Sequence, residues 1–199
     1  MGFPGDGRNR RAAPPMTYFV SLKIVAIVVG LLYLATHLPG ALFPNGTAPR
    51  LRALPRSYPL GVVLMLTATF WFVLLTGMMD LGELSSMRLQ LMAVWAVAGV
   101  LTVIFVPGFL AMRGLGCLLL LAAAVIIDGA FLVQTPLRYV MTILAYAWVI
   151  KGMVLVYSPH LGRDALHYLA QTPQRCRAFS WPGVAFGVVL IVLGLFFYP

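Results

Sequence analysis

The feature that most constrains this chain is a repetition of unbroken apolar runs, each about a membrane thickness long. Six can be drawn, over about 17–38, 59–79, 89–112, 115–134, 137–157 and 181–198. At about 1.5 Å per residue, each spans a hydrocarbon core of about 30 Å as a helix. The runs are continuous, so they lack the polar–apolar alternation of a transmembrane β-barrel. Hydrophobic residues make up 61% of the chain and charged residues 10%. A soluble domain carries about 25% charged residues, and a disordered chain has low hydrophobicity, so both classes are excluded. The fold class is all-α: a polytopic integral membrane protein, a bundle of about six transmembrane helices forming one domain over 17–199.

The formal charge is +9. No basic stripe interleaves with stacking aromatics, so nucleic acid is not the partner these charges point to. Arginines that flank spans meet anionic headgroups instead, and the lipid bilayer is the expected partner. Residues 1–16 form a polar basic tail, rich in Gly, Pro and Arg, ahead of the first span. That span is longer than a signal-peptide core and no small-x-small cleavage site follows it, so it reads as a retained helix. Cys117 lies in an apolar run and Cys176 in a polar loop, which does not make a disulfide framework.

Short connections at Arg113-Gly114 and Thr135-Pro136 make spans 3, 4 and 5 sequential antiparallel neighbours, and Pro107-Gly108 predicts a kink inside span 3. Two connections are long. Residues 39–58 carry four prolines and three arginines, and 158–180 hold a short interfacial helix that starts at Ser158-Pro159 and stops before Pro173. Connections after spans 1, 3 and 5 share one side of the membrane, here the loop face. They hold Arg50, Arg52, Arg56, Arg113, Arg163, Arg175 and Arg177. The opposite, terminal face holds Arg8, Arg10, Arg11, Arg88 and Arg138. The count favours a cytoplasmic loop face, but the basic tail is costly to translocate and tips the reading toward cytoplasmic termini. A shift of 122 residues lays Gly30 on Gly152, Gly40 on Gly162 and Gly61 on Gly183, an internal repeat to be tested.

Ionisable residues inside spans are the first functional candidates, because burying charge in lipid is costly. Lys23 snorkels to an interface. Asp128 and Lys151 are the deep intramembrane polar residues. The stripe Gly116, Leu120, Ala124, Asp128 presents the carboxylate to a neighbouring helix, with Tyr139 or Tyr146 as expected partners. Lys151 lies about seven residues deeper, roughly 10 Å along the axis, so the two do not pair directly. His37, His160 and His167 fall on the loop face and are candidates for binding a tetrapyrrole or metal. No motif specifies a cofactor: HxxxH, HExxH, CxxC, the phosphate-binding loop and the nucleophile elbow have no match in the sequence. Asp80 and Glu83 read as a solvated turn, with Ser85 or Ser86 capping span 3.

Gly183 and Gly187 form GxxxG in the last span, with Gly194 near the same face, a close-packing surface for another helix. Residues 145–198 run as an apolar helix with Lys151-Gly152, then Ser158-Pro159-His160, a Leu-bearing short helix, Thr172-Pro173, an arginine pair and a glycine-bearing last helix. This stretch resembles the hairpin of YjeT-like small bacterial inner-membrane proteins of unknown function. The Arg-then-Gly junction of that family is interrupted here by residues 178–182. The resemblance implies bacterial origin and no particular activity. The expected function is a non-catalytic accessory or scaffold subunit of a bacterial membrane complex, docking onto other membrane subunits through glycine faces and Arg/Pro-rich loops. The alternatives are a small transporter using Asp128 and Lys151, and a tetrapyrrole- or quinone-binding subunit.

Overall fold

The computed structural model describes residues 20–198 apart from residue 132. The tail over 1–16 lies outside the described residues. The chain forms α1 (Leu22–Leu42), α2 (Pro44–Ala53), a 3₁₀ turn at Leu54–Arg56, α3 (Tyr58–Met78), a second 3₁₀ turn at Gly82–Met87, α4 (Arg88–Phe105), α5 (Leu110–Phe131), α6 (Arg138–Tyr157), α7 (Pro159–Leu169) and α8 (Pro173–Phe196). No strand occurs among the described residues. Six helices are long and apolar enough to cross a membrane: α1, α3, α4 with its leading turn, α5, α6 and α8. Their outer surfaces are apolar; Val28, Phe70, Leu89 and Ile143 are all more than half exposed. Such surfaces are tolerated in hydrocarbon and not in water. The chain is a multi-pass helical membrane protein.

The boundary between spans 3 and 4 falls earlier than hydropathy places it. Pro107 has no N–H and disfavours the helical conformation at Val106, so α4 stops at Phe105. Phe109 takes φ +54°, an outlier for a bulky residue, and its carbonyl accepts from Met112 and Arg113 N–H at 3.0 and 3.2 Å. Pro107-Gly108 is therefore the interhelical turn and not a kink, and Arg113-Gly114 lies within the start of α5. The capping expectation for span 3 is also corrected. Ser85 donates to the Gly82 carbonyl at 2.7 Å inside the 3₁₀ turn, and Met87 occupies the N-cap position of α4. At the last span, Thr172 caps α8 by accepting from Arg175 N–H at 3.3 Å. That helix thus begins at Pro173 and carries Pro182 inside it.

Helix packing follows the glycines. The most extensive pair is α1 with α8, then α5 with α6, α3 with α5 and α3 with α4. A Cβ on Gly187 would sit 2.9 Å from the Gly30 carbonyl oxygen, and one on Gly30 would sit 2.8 Å from the Gly187 oxygen. Gly116 and Gly152 stand in the same relation between α5 and α6, at 2.8 and 2.9 Å. Gly61 and Gly114 let α3 and α5 cross against each other's backbone. Without a hydrophobic drive between helices in lipid, close backbone approach of this kind supplies the association energy. The shared core lies among α1, α5, α6 and α8, where Leu22, Ala26, Ala123, Ile126, Met141, Ala145 and Leu190 are fully buried. Spans 4 and 5 are neighbours as expected, but spans 3 and 4 are not. Helix α3 joins α4 to α5, and a cleft opens where those two would otherwise meet.

The terminal face is closed by hydrogen bonds to backbone. Arg88 donates to the Gly77 and Met79 carbonyls at 2.9 and 3.2 Å, covering the C-terminus of α3. Arg138 donates to the Val133 carbonyl at 2.8 Å, and Tyr198 to the Leu137 carbonyl at 2.8 Å.

Candidate functional site

The structure separates the two deep charges. Asp128 is half-buried near the terminal-face end of α5, beside Gly129, whose backbone faces Val20 and Leu22. It makes no hydrogen bond or ion pair with any described residue, so the expected clamp to Tyr139 or Tyr146 is not formed; both tyrosines are exposed. Lys151 is exposed on α6, six residues before that helix ends at Tyr157. With Pro107-Gly108 at the surface, these groups do not line a common path.

The three histidines are not brought together; among the described residues no group of three His, Cys, Asp or Glu is placed to hold a metal. His37 instead completes an aromatic stack. Tyr33, one turn earlier on α1, lies parallel to it with centroids 5.3 Å apart, and Tyr33 also meets Trp148 at 6.2 Å and Phe186 at 5.3 Å. Trp148 Nε1–H donates to the Tyr33 hydroxyl at 3.2 Å. His37 Nδ1 lies 3.0 Å from both the Tyr33 carbonyl and Thr36 Oγ1. Thr36 donates its own proton to the Leu32 carbonyl at 2.8 Å. This pattern puts the histidine proton on Nδ1. The imidazole rests directly on Gly183, in space a side chain there would occupy. Gly183 thus serves the stack, Gly187 meets Gly30, and Gly194 meets the Lys23 carbonyl and Ile27. The whole glycine face of α8 is covered by α1 and is not free for a partner. The i, i+4 spacing of Tyr33 and His37 was legible in the sequence; the convergence of α6 and α8 on them was not.

What the loop face does present is a platform. Helix α2 lies against α8, α1 and α7, and α7 lies against α6, α5 and α8. A small core of Ala48, Ala170 and Cys176, with Leu51 against it, sits beneath them. Arg52 fastens the two short helices: its Nε donates to the Ala170 carbonyl at 2.9 Å and its Nη2 to the Gln171 carbonyl at 3.5 Å. Arg163 pairs with Asp164 at 2.7 Å and lies over the Phe109 ring at 5.4 Å, holding α7 to the α4–α5 turn. Arg175 bonds the Gln171 side chain and lies over Tyr168 at 4.8 Å. Arg50, Arg56 and Arg177 are exposed and bond no described residue. Comparison with family models, curated proteins and solved structures finds no match. The site is therefore read from its own chemistry.

That chemistry is a fixed cationic surface. Seven arginines lie at the loop face against one acid, Asp164. The described part of the terminal face is balanced, with Lys23, Arg88 and Arg138 against Asp80, Glu83 and Asp128. The two terminal-face arginines among the described residues also close helix ends by bonding backbone carbonyls. At the loop face Thr47 closes the end of α1, donating to the Pro39 and Phe43 carbonyls at 3.0 Å each. Arg52 closes α7, Arg163 and Arg175 are held by Asp164 and Gln171, Arg113 Nε is buried, and Arg50, Arg56 and Arg177 stay exposed.

Proposed function

We propose that the protein is a non-catalytic accessory or scaffold subunit of a complex in a bacterial cytoplasmic membrane. It docks onto a further membrane subunit through the α2–α7 platform. The observation that carries this reading is the platform itself: two short helices with their own core and an arginine tie, holding exposed guanidinium groups that no protein acceptor uses. Ordering a surface in this way costs conformational entropy, and the order matches what a docking face requires. The bacterial assignment is supported by the resemblance of residues 145–198 to small inner-membrane proteins. The glycine faces first expected to dock are covered within the chain, so the loops carry the contact.

The test is purification from native membranes in mild detergent. The expected result is a fixed-stoichiometry complex that falls apart when Arg50→Glu and Arg177→Glu are combined, while the variant chain stays folded. A lone monodisperse wild-type chain overturns the proposal.

A further inference from the structure

We infer that the α3–α4–α5 side of the bundle is a binding site for one anionic phospholipid, with Arg56 at its headgroup and an acyl chain between α4 and α5. Two neighbouring spaces carry this inference, and it stands independently of the subunit role. The first is a cleft of about 350 Å³ at membrane depth, bounded by Met65 and Phe72 of α3, Trp95 and Ala98 of α4, and Cys117 and Leu121 of α5. The second is a pocket of about 240 Å³ at the loop-face interface, bounded by Arg56, Tyr58, the Pro107-Gly108 turn, Phe109 and Leu110.

Helical register stacks one above the other. Tyr58, Met65 and Phe72 are each seven residues apart, so they share one stripe of α3. Leu110, Cys117 and Leu121 share one stripe of α5 in the same way. The pocket therefore lies on the loop-face side of the cleft, on the same stripes of α3 and α5. Seven residues from Met65 to Phe72 make the cleft about 10 Å long. Its lower end is stopped by the Phe72–Trp95 pair, edge to face at 5.2 Å.

The cleft is lined almost entirely by apolar atoms. Its two hydroxyls are already engaged: Thr69 donates to the Met65 carbonyl at 2.9 Å and Thr102 to the Ala98 carbonyl at 2.8 Å. A volume of about 350 Å³ over about 10 Å gives a mean cross-section of roughly 35 Å². That is too narrow for a partner helix of about 10–12 Å diameter and suits a single chain. In a bilayer such a space fills, because lining atoms without neighbours lose their dispersion energy. The pocket above it takes an anion. Arg56 bonds no described residue, and the first turns of α3 and α5 both begin here with no acidic residue in either. A phosphate joined to an acyl chain satisfies the cation above and the cleft below, and a free phosphate does not.

Native mass spectrometry of the full chain in mild detergent tests this, using phosphatidylglycerol and phosphatidylcholine of identical acyl chains. The expected result is one retained phosphatidylglycerol per chain, about tenfold preferred over phosphatidylcholine, the scale of one charge-assisted contact. Arg56→Gln removes the preference, and Ala98→Trp, which fills the cleft from an exposed position, removes retention of both lipids. Ala98→Leu replaces it if the larger side chain prevents folding. Equal retention of the two lipids by the wild-type chain overturns the proposal, as does undiminished phosphatidylglycerol in both variants. A dimer lost in Ala98→Trp assigns the cleft to a second copy and overturns it too.

Discussion

Substitution of Gly187 by alanine puts the packing argument at greatest risk. The new methyl would sit 2.9 Å from the Gly30 carbonyl oxygen, 3.0 Å from Tyr33 Cβ and 3.3 Å from Leu34 Cδ2. The first of these is backbone and cannot rotate away, so α1 and α8 must separate by about 0.5 Å to restore ordinary contact near 3.4 Å. A gap of that size forfeits about a quarter of the dispersion energy across the seam. Taking the seam as equivalent to one buried leucine, about 40–60 contacts at about 0.1–0.2 kcal/mol, the loss is roughly 1–3 kcal/mol. Alanine's better helix propensity returns up to about 1 kcal/mol, leaving a net destabilisation of about 1 kcal/mol. Gly46→Ala is the matched control, because nothing lies within 4 Å of its Cβ position. It should show the propensity gain alone, about 0.5–1 kcal/mol of stabilisation. The two variants should therefore differ by about 2 kcal/mol in equilibrium unfolding by denaturing detergent, followed by tryptophan fluorescence. If Gly187→Ala is as stable as Gly46→Ala, the α8 glycines do not hold this bundle together and are free to meet another protein.

Three further outcomes follow from the same geometry. Trp148→Phe removes the donor to the Tyr33 hydroxyl and should cost about 1 kcal/mol in the same assay, with Tyr33→Phe giving no additional loss on that background. Arg52→Ala should release α2 from α7, raising hydrogen exchange over 44–53 and 166–171 at least several-fold while the spans keep their protection, since the side-chain bonds it removes join only the short helices. Asp128→Asn should leave stability within about 0.5 kcal/mol of the parent or raise it, because the carboxylate has no described partner to lose and its charge is unfavourable at that depth; a loss well above 1 kcal/mol would show a partner.

The spans were legible because lipid enforces them: each backbone polar group in hydrocarbon must be bonded within its own helix, so a long apolar run has one solution. Hydropathy failed at Pro107-Gly108 because Val106 and Phe109 on either side are themselves apolar, and only the missing N–H of Pro107 and the positive φ of Phe109 set the break. It failed differently at α2. The sequence Pro-Asn-Gly-Thr-Ala-Pro-Arg-Leu-Arg-Ala has a helix breaker or turn former at half its positions, and its helical form rests on tertiary ties: Thr47 to the end of α1, Arg52 to the end of α7, and Ala48 in a small shared core. Asp128 and Lys151 stood out by hydropathy alone, but whether a buried charge has a partner depends on helix rotation, which a single sequence does not specify. The arginines were visible individually, and the difference between those that close helix ends and those that face outward was not.

That difference bears on why the loop face is basic. Arg56 precedes α3, Arg113 lies in the opening of α5, and Arg175 and Arg177 lie in the opening turns of α8. These are helix N-termini, where the macrodipole favours anions and a cation in the first turn is unfavourable by about 0.3–1 kcal/mol. None of the three helices carries an acid in its first turn. Arg88 also stands at a helix start, but it reaches back to the carbonyl end of α3 and so has a folding role. Arg56 and Arg177 have no such bond. At Arg56 and Arg177, a fold selected only for stability would place Asp or Glu and give up no hydrogen bond by it. Positive charge kept at three helix N-termini, beside an ordered platform and above an apolar cleft, is the arrangement expected where the neutralising anion comes from outside the chain.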